Sequence, residues 1–188
     1  MLKATHGGAR MEKLIEQIRS MLVVTPGRWQ SLSTALPADL LVRRPAPTEW
    51  SAVECLQHII DTERVFQFRL KCFLEGADFP AFNPDQEGTK PGERTPIELA
   101  TDFEKLRAES MKMLETIGEA DLDRRVRHQE LGPVTLREML NEWAAHDLNH
   151  TIQAERALMQ PFLLECGPWI GYFEDHLIKE RYIILITT

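Results

Sequence analysis

His146 and His150 are the residues from which chemistry is read first. In His146-Asp147-Leu148-Asn149-His150 the two imidazoles stand four residues apart. On a helix they project from one face, one turn apart, close enough to share an ion. Neutral imidazole nitrogens are good ligands for divalent transition metals. On a helical wheel they fall on the stripe Met139, Trp143, His146, His150, Gln153 and Ala157, so they point inward with a tryptophan. A buried imidazole pair has to be satisfied, either by a metal or by backbone and carboxylate partners, and the spacing leaves both open. The motif departs from the His-Glu-x-x-His of zinc proteases. Its second position is Asp147, and the glycine and histidine that extend the longer protease motif do not follow.

A third histidine comes from an earlier segment. His58 shares a helical face with Ser51, Glu54, Cys55, Asp61, Thr62, Val65 and Arg69, while Val53, Leu56, Ile60 and Leu74 lie opposite. Apolar residues beside both faces are expected of a helix packed on both sides. His58 then either looks into the interior that holds His146 and His150 or sits on a wet face. Three nitrogens from two helices leave ligand positions free, the arrangement of a catalytic rather than a structural ion. Glu54 and Asp61, one turn on either side of His58, are candidates to orient a ligand or act as a base; a capping role suits Glu54 better. Cys55 reads as a packing residue, Trp50 and Trp143 as core, and Gln153 as a partner of a ligand or a surface group. His6, His128 and His176 have no partner spacing. Arg124, Arg125 and Arg127 form a basic run that suits a solvated turn or an acidic cofactor.

Four helical segments have to position these residues. The first spans about Met11 to Leu36, with Pro26-Gly27 as a possible break. The second opens at Thr48 or Ser51, with Glu54 placed for a capping box, and stops before Gly76. The third opens at Thr95-Pro96 and ends near Gly118. The fourth opens at Thr135, with Glu138 three residues on, and Pro161 is expected to close it. A Pro/Gly-rich loop fills Asp78 to Arg94, a hairpin is expected around Leu131-Gly132-Pro133, and the tail from Pro161 reads as irregular, with an extended Tyr182–Ile186. Residues 1–10 read as a flexible leader without the apolar stretch of a signal peptide, and 11–188 as one domain. Together these predict an all-α helical bundle.

Residues Glu49 to Asp61, EWSAVECLQHIID, and Glu142 to Gln153, EWAAHDLNHTIQ, occur in order on the second and fourth helices. This pair of motifs, with Gly167-Pro168-Trp169 behind it, resembles the DinB/YfiT-like superfamily over roughly residues 11 to 175. The resemblance implies a four-helix bundle of up-down-down-up topology, with the Asp78–Arg94 loop as its long crossover. It implies a divalent metal, zinc or nickel before iron, on His58, His146 and His150, and a homodimer. It also implies metal-dependent chemistry, either S-transfer from a low-molecular-weight thiol such as bacillithiol or hydrolysis; a metal- or ligand-binding dimer without catalysis is the alternative. Asp147 stands where many members carry Glu, which leaves the role of that side chain open.

Composition narrows the classes further. The chain has 188 residues, a net charge of −7, 43 % hydrophobic and 27 % charged residues, which suits one globular domain and not a disordered chain. An acidic balance argues against nucleic-acid binding. No apolar run approaches the roughly 20 residues of a membrane span. The three separated cysteines, Cys55, Cys72 and Cys166, fit reduced thiols in the cytoplasm.

Overall fold

The computed structural model describes residues 5–83 and 92–178, with side chains from Lys13 onward. The expected leader lies partly outside these residues; helix α1, Thr5–Ala35, already begins within it. The short α2, Ala38–Val42, leads to α3, Ala52–Glu75. Next come α4, Pro96–Glu115, and a 3-10 turn, Glu119–Asp121. A hairpin follows, β1 Arg125–His128 and β2 Gly132–Thr135, and then α5, Leu136–Glu165, with a 3-10 segment, Gly167–His176, behind it. The expected extended stretch at Tyr182–Ile186 lies outside the described residues.

The helix starts are encoded locally. Ser51, Thr95 and Thr135 each cap α3, α4 and α5, accepting from the backbone N–H three residues on, while Glu54, Glu98 and Glu138 reach back to the capping residue. Each box satisfies two of the backbone donors left over at a helix start. Gly76 ends α3 at φ 72°, a left-handed conformation that a side chain disfavours.

Side-chain pairs fix the helix directions. Gln30 bonds Glu104, and Arg19 reaches the carbonyl of Ile117, so α1 and α4 run antiparallel. Arg94 bonds Gln57, and Gln67 bonds Ser110, so α3 and α4 run parallel. His58 meets His146 while Arg69 meets Glu142, so α3 and α5 run antiparallel. The result is an up-down-down-up four-helix bundle, with the parallel pair α3 and α4 joined by the long connection after Gly76.

Two expected breaks do not occur. Pro26 lies inside a continuous α1. It cannot donate to the carbonyl of Leu22, the bond a helix needs there. Arg107 Nη1 from α4 donates to that carbonyl instead, at 2.7 Å. Pro161 likewise lies inside α5, which continues to Glu165. The chain around it is tied to the tail: Gln160 Nε2 and Arg156 Nε donate to the carbonyl of His176, and Gln160 Oε1 accepts from Ile178 N. The hairpin forms, but Gly132 and Pro133 belong to its second strand, pairing with His128 and Arg127.

Two apolar cores fill the bundle, one toward each end. One gathers Leu22, Phe66, Phe73, Leu114, Leu140 and Trp143. The other gathers Trp29, Leu56, Ile60, Leu99, Phe103 and Leu158. Along every bundle helix a buried polar residue stands between them: Thr25 on α1, Glu63 on α3, Arg107 on α4 and Asp147 on α5. The histidines of α3 and α5 lie at this same level.

Candidate metal centre

His58, His146 and His150 come together between α3 and α5. One ring nitrogen of each lies within 4.8 Å of the others, and no other group of three or more such ligands forms among the described residues. His58 Nε2 and His146 Nε2 are 3.1 Å apart. Two nitrogens bound to one ion at about 2.1 Å stand about 3.0 Å apart at a right angle and about 3.4 Å apart at the tetrahedral angle. The pair is therefore already at ligand spacing, and His150 has only a short way to close. The ring centroids of His150 lie 4.4 Å from those of both other histidines.

The tautomers fit a metal. His150 Nδ1 bonds Gln153 Oε1 at 2.8 Å. An amide oxygen only accepts, so the ring proton is on Nδ1 and the Nε2 lone pair is free. His58 Nδ1 and His146 Nδ1 are buried without partners, so the two rings have only their Nε2 atoms for polar contact, and these face each other. A cation between them would satisfy both lone pairs at once. Trp50 covers the cluster, its ring 4.9 Å from His58 and 5.8 Å from His150, and Phe66 meets His146 edge-on at 5.6 Å. Trp50 is half-buried, packed against the second core and also forming the site wall, whereas Trp143 is fully buried.

All three imidazoles are poor bases here. Burial, with His150 beside it, pulls the His58 pKa down from 6.5 to about 4. Burial and the neighbouring His150 and His58, with Arg69 and Arg107 beyond, take His146 to about 3. Burial also lowers His150, against the opposing bond to Gln153. The lone pairs thus stay available at neutral pH. The linkage has a definite sign. Below pH 6.5 the unfolded chain takes protons that the metal-free folded chain refuses, so stability falls as pH falls toward 4 and is unaffected above about 7. Urea titrations of metal-free protein should show wild type losing stability relative to a His58→Gln/His146→Gln variant across that window. A stability difference independent of pH would contradict this electrostatic account.

Other candidates are placed elsewhere. Glu54 serves the α3 cap and pairs with Arg44. Asp61 bonds Gln57 at 2.8 Å and lies 3.5 Å from Arg64. Cys55 is buried, and burial pushes its thiol up to about 12, which makes it an unreactive packing group. His176 is exposed, and His6 lies outside the described side chains. Arg124 pairs with Asp121 and with the carbonyl of Leu74. Asp147 does not join its flanking histidines. It turns away, buried, to a fork with Arg107 at 2.7 and 3.0 Å.

That fork is the part of the site the motifs missed. Arg107 also makes two 2.8 Å bonds to Glu63, whose Oε2 accepts from Trp143 Nε1 at 3.0 Å. The guanidinium is 2 % exposed and stacks over Phe103. Burial acts to lower the Arg107 pKa, but Asp147 and Glu63 outweigh it and raise it; burial pushes Asp147 up while Arg107 opposes. Glu63 follows His58 by five residues and Asp147 adjoins His146, so the fork ties the two ligand-bearing helices together from behind. A charged residue inside the apolar stripe of each of three helices was the available signal.

Comparison with known proteins agrees with this architecture. The structure is similar to that of YfiT from Bacillus subtilis, described as a probable metal-dependent hydrolase with an unusual four-helix bundle topology, at a TM-score of 0.67, 16 % identity, and 86 % and 93 % coverage of the two chains. It is also similar to a DinB-like protein of Bacillus subtilis, YjoA, at a TM-score of 0.54, 24 % identity, and 77 % and 91 % coverage. No curated protein matches. The model of the DinB superfamily matches residues 21–154, from the middle of α1 into α5 and across all three clustered histidines, and the chain belongs to that superfamily.

Proposed function

We propose that this protein is a divalent-metal-dependent enzyme whose ion is held by His58, His146 and His150. The observation that carries the reading is the convergence of three neutral imidazoles on one point, with two Nδ1 atoms buried and unpartnered behind them. A zinc, nickel or iron ion held there supplies Lewis acidity and lowers the pKa of a water or thiol that reaches it. The chain does the rest. Gln153 fixes the tautomer of His150, Trp50 and Phe66 wall off water, and the Arg107 fork holds α3 and α5 at ligand distance. Three protein ligands leave positions for a small-molecule substrate. A cleft of about 360 Å³ borders Trp50 and Gln153, beside the histidine cluster.

The reaction is nucleophilic transfer, hydrolysis if water is the nucleophile and S-transfer if a low-molecular-weight thiol takes its place. The description of YfiT as a probable metal-dependent hydrolase favours hydrolysis. We place the protein in the cytoplasm; no helix among the described residues is long and apolar enough to cross a membrane. Exposed Phe162, Trp169 and Tyr172 at the end of α5 and just beyond support a homodimer.

The test is turnover by zinc-, nickel- and iron-loaded protein, with an ester and amide panel for hydrolysis and with an alkyl halide plus bacillithiol or cysteine for S-transfer. Activity in one panel that is lost in His58→Ala supports the enzyme. One bound metal with no turnover in either panel would favour a metal- or ligand-binding dimer.

A further inference from the structure

A second cavity, of about 290 Å³, lies between α3, the hairpin and the start of α5. Phe79, Phe82, Leu131 and Met139 give it apolar walls, and Arg69 and His128 are its interior polar groups. His128 is 7 % exposed. Its Nδ1 accepts from the backbone N–H of Glu130 at 3.1 Å and of Leu131 at 3.3 Å. Backbone N–H groups only donate, so the proton of the neutral ring sits on Nε2. Arg69 Nη2 lies 3.4 Å from that Nε2. Both atoms are donors, so they cannot satisfy one another, and they converge on a place that only an acceptor can fill.

Arg69 is short of acceptors as well. Its side chain is 12 % exposed, its Nε is buried without a partner, and Phe66 and Phe79 cover its faces. Among the described residues the nearest carboxylate, Glu142, is 3.7 Å from Nη1, beyond hydrogen-bond length. Glu138 is occupied by the cap of Thr135, and Glu130 completes the rim. A buried guanidinium without a bidentate partner, facing a second donor, is the chemistry of a carboxylate receptor. The acidic rim disfavours a doubly charged ligand such as phosphate.

We propose that this cavity is a carboxylate-binding subsite, which takes the anionic end of a small, apolar-bodied monocarboxylate through Arg69 and His128. Phe66 lies between it and the histidines, touching Arg69 on one side and His146 on the other. The role as a substrate subsite rests on reading the histidines as a metal centre; the binding itself does not.

Phenylacetate and its neutral isostere phenylacetamide are the probes, titrated into metal-free full-length protein and followed by amide NMR shifts. Phenylacetate should saturate with a Kd on the order of millimolar, shifting Phe79, His128 and Leu131. Phenylacetamide and the Arg69→Met variant should each bind at least about tenfold more weakly, the loss of a charge-assisted bond. Binding should persist in His146→Ala, so failure of the metal reading leaves it standing. Equal binding of the amide, no saturable binding to wild type, or shifts centred on the histidines and lost in His146→Ala would each overturn the subsite. Should Arg69→Met not fold, the acid-to-amide comparison on wild type decides alone.

Discussion

Arg107→Met is expected to destabilise the fold by about 3–5 kcal/mol, the cost of removing one partner from a buried ion cluster. For a chain of this size that lowers Tm by about 6–20 °C. The variant leaves Glu63 and Asp147, each 1 % exposed, without their cation, and strips the donor from the Leu22 carbonyl that Pro26 cannot satisfy. Total stability is about 5–15 kcal/mol, so the loss consumes much of it. Without the guanidinium the buried Asp147 carboxyl loses the partner that opposes its burial, so the gap between wild type and variant should narrow as pH falls from 7 toward 5, on top of the histidine dependence that both share. Thermal scans across that range check both points. A loss under about 1 kcal/mol at pH 7, or a gap that widens as pH falls, would mean the fork does not hold the bundle as described. Replacing all three charges by Met, Gln and Asn should recover part of the loss, because no buried charge then stands alone.

Metal addition should give the second large effect. A ligand that binds only the folded state stabilises it by about 4.1 kcal/mol at a thousand times its Kd. Zinc or nickel in that excess should therefore raise the Tm of metal-free wild type by on the order of 10 °C. In His58→Ala the increase, measured against the variant's own metal-free Tm, should largely vanish, since one of the three ligands is gone. Equal shifts in wild type and variant would place the metal elsewhere.

The helix starts and the histidine set were legible because their signals are short. Ser51-x-x-Glu54, Thr95-x-x-Glu98 and Thr135-x-x-Glu138 act within one turn, so sequence distance is spatial distance. The four-residue step from His146 to His150 is equally local. His58 required a pairing of two helices, which spacing left open and the family motifs supplied. The misses turn mostly on partners distant in sequence. Pro26 keeps its helix because Arg107, 81 residues later in the chain, donates to the carbonyl it orphans. Pro161 also lies inside its helix, next to Gln160 and Arg156, whose side chains hold the tail. Trp50 packs against a core as expected and also walls the site, because the rings of His58 and His150 meet it from α3 and α5. His128 had no partner spacing, since its neighbours are its own hairpin backbone and an arginine 59 residues away. Asp147 sits between two metal-ligand candidates and serves neither, because one residue along a helix turns the side chain toward a different neighbour.

Whether the three histidines hold an ion is read from elemental analysis of freshly purified, untagged protein, with His146→Ala beside it. About one equivalent of a transition metal per chain in wild type, absent from the variant, is the expected result. Wild type that stays metal-free after reconstitution with zinc, nickel and iron, or a variant that holds as much as wild type, would contradict it.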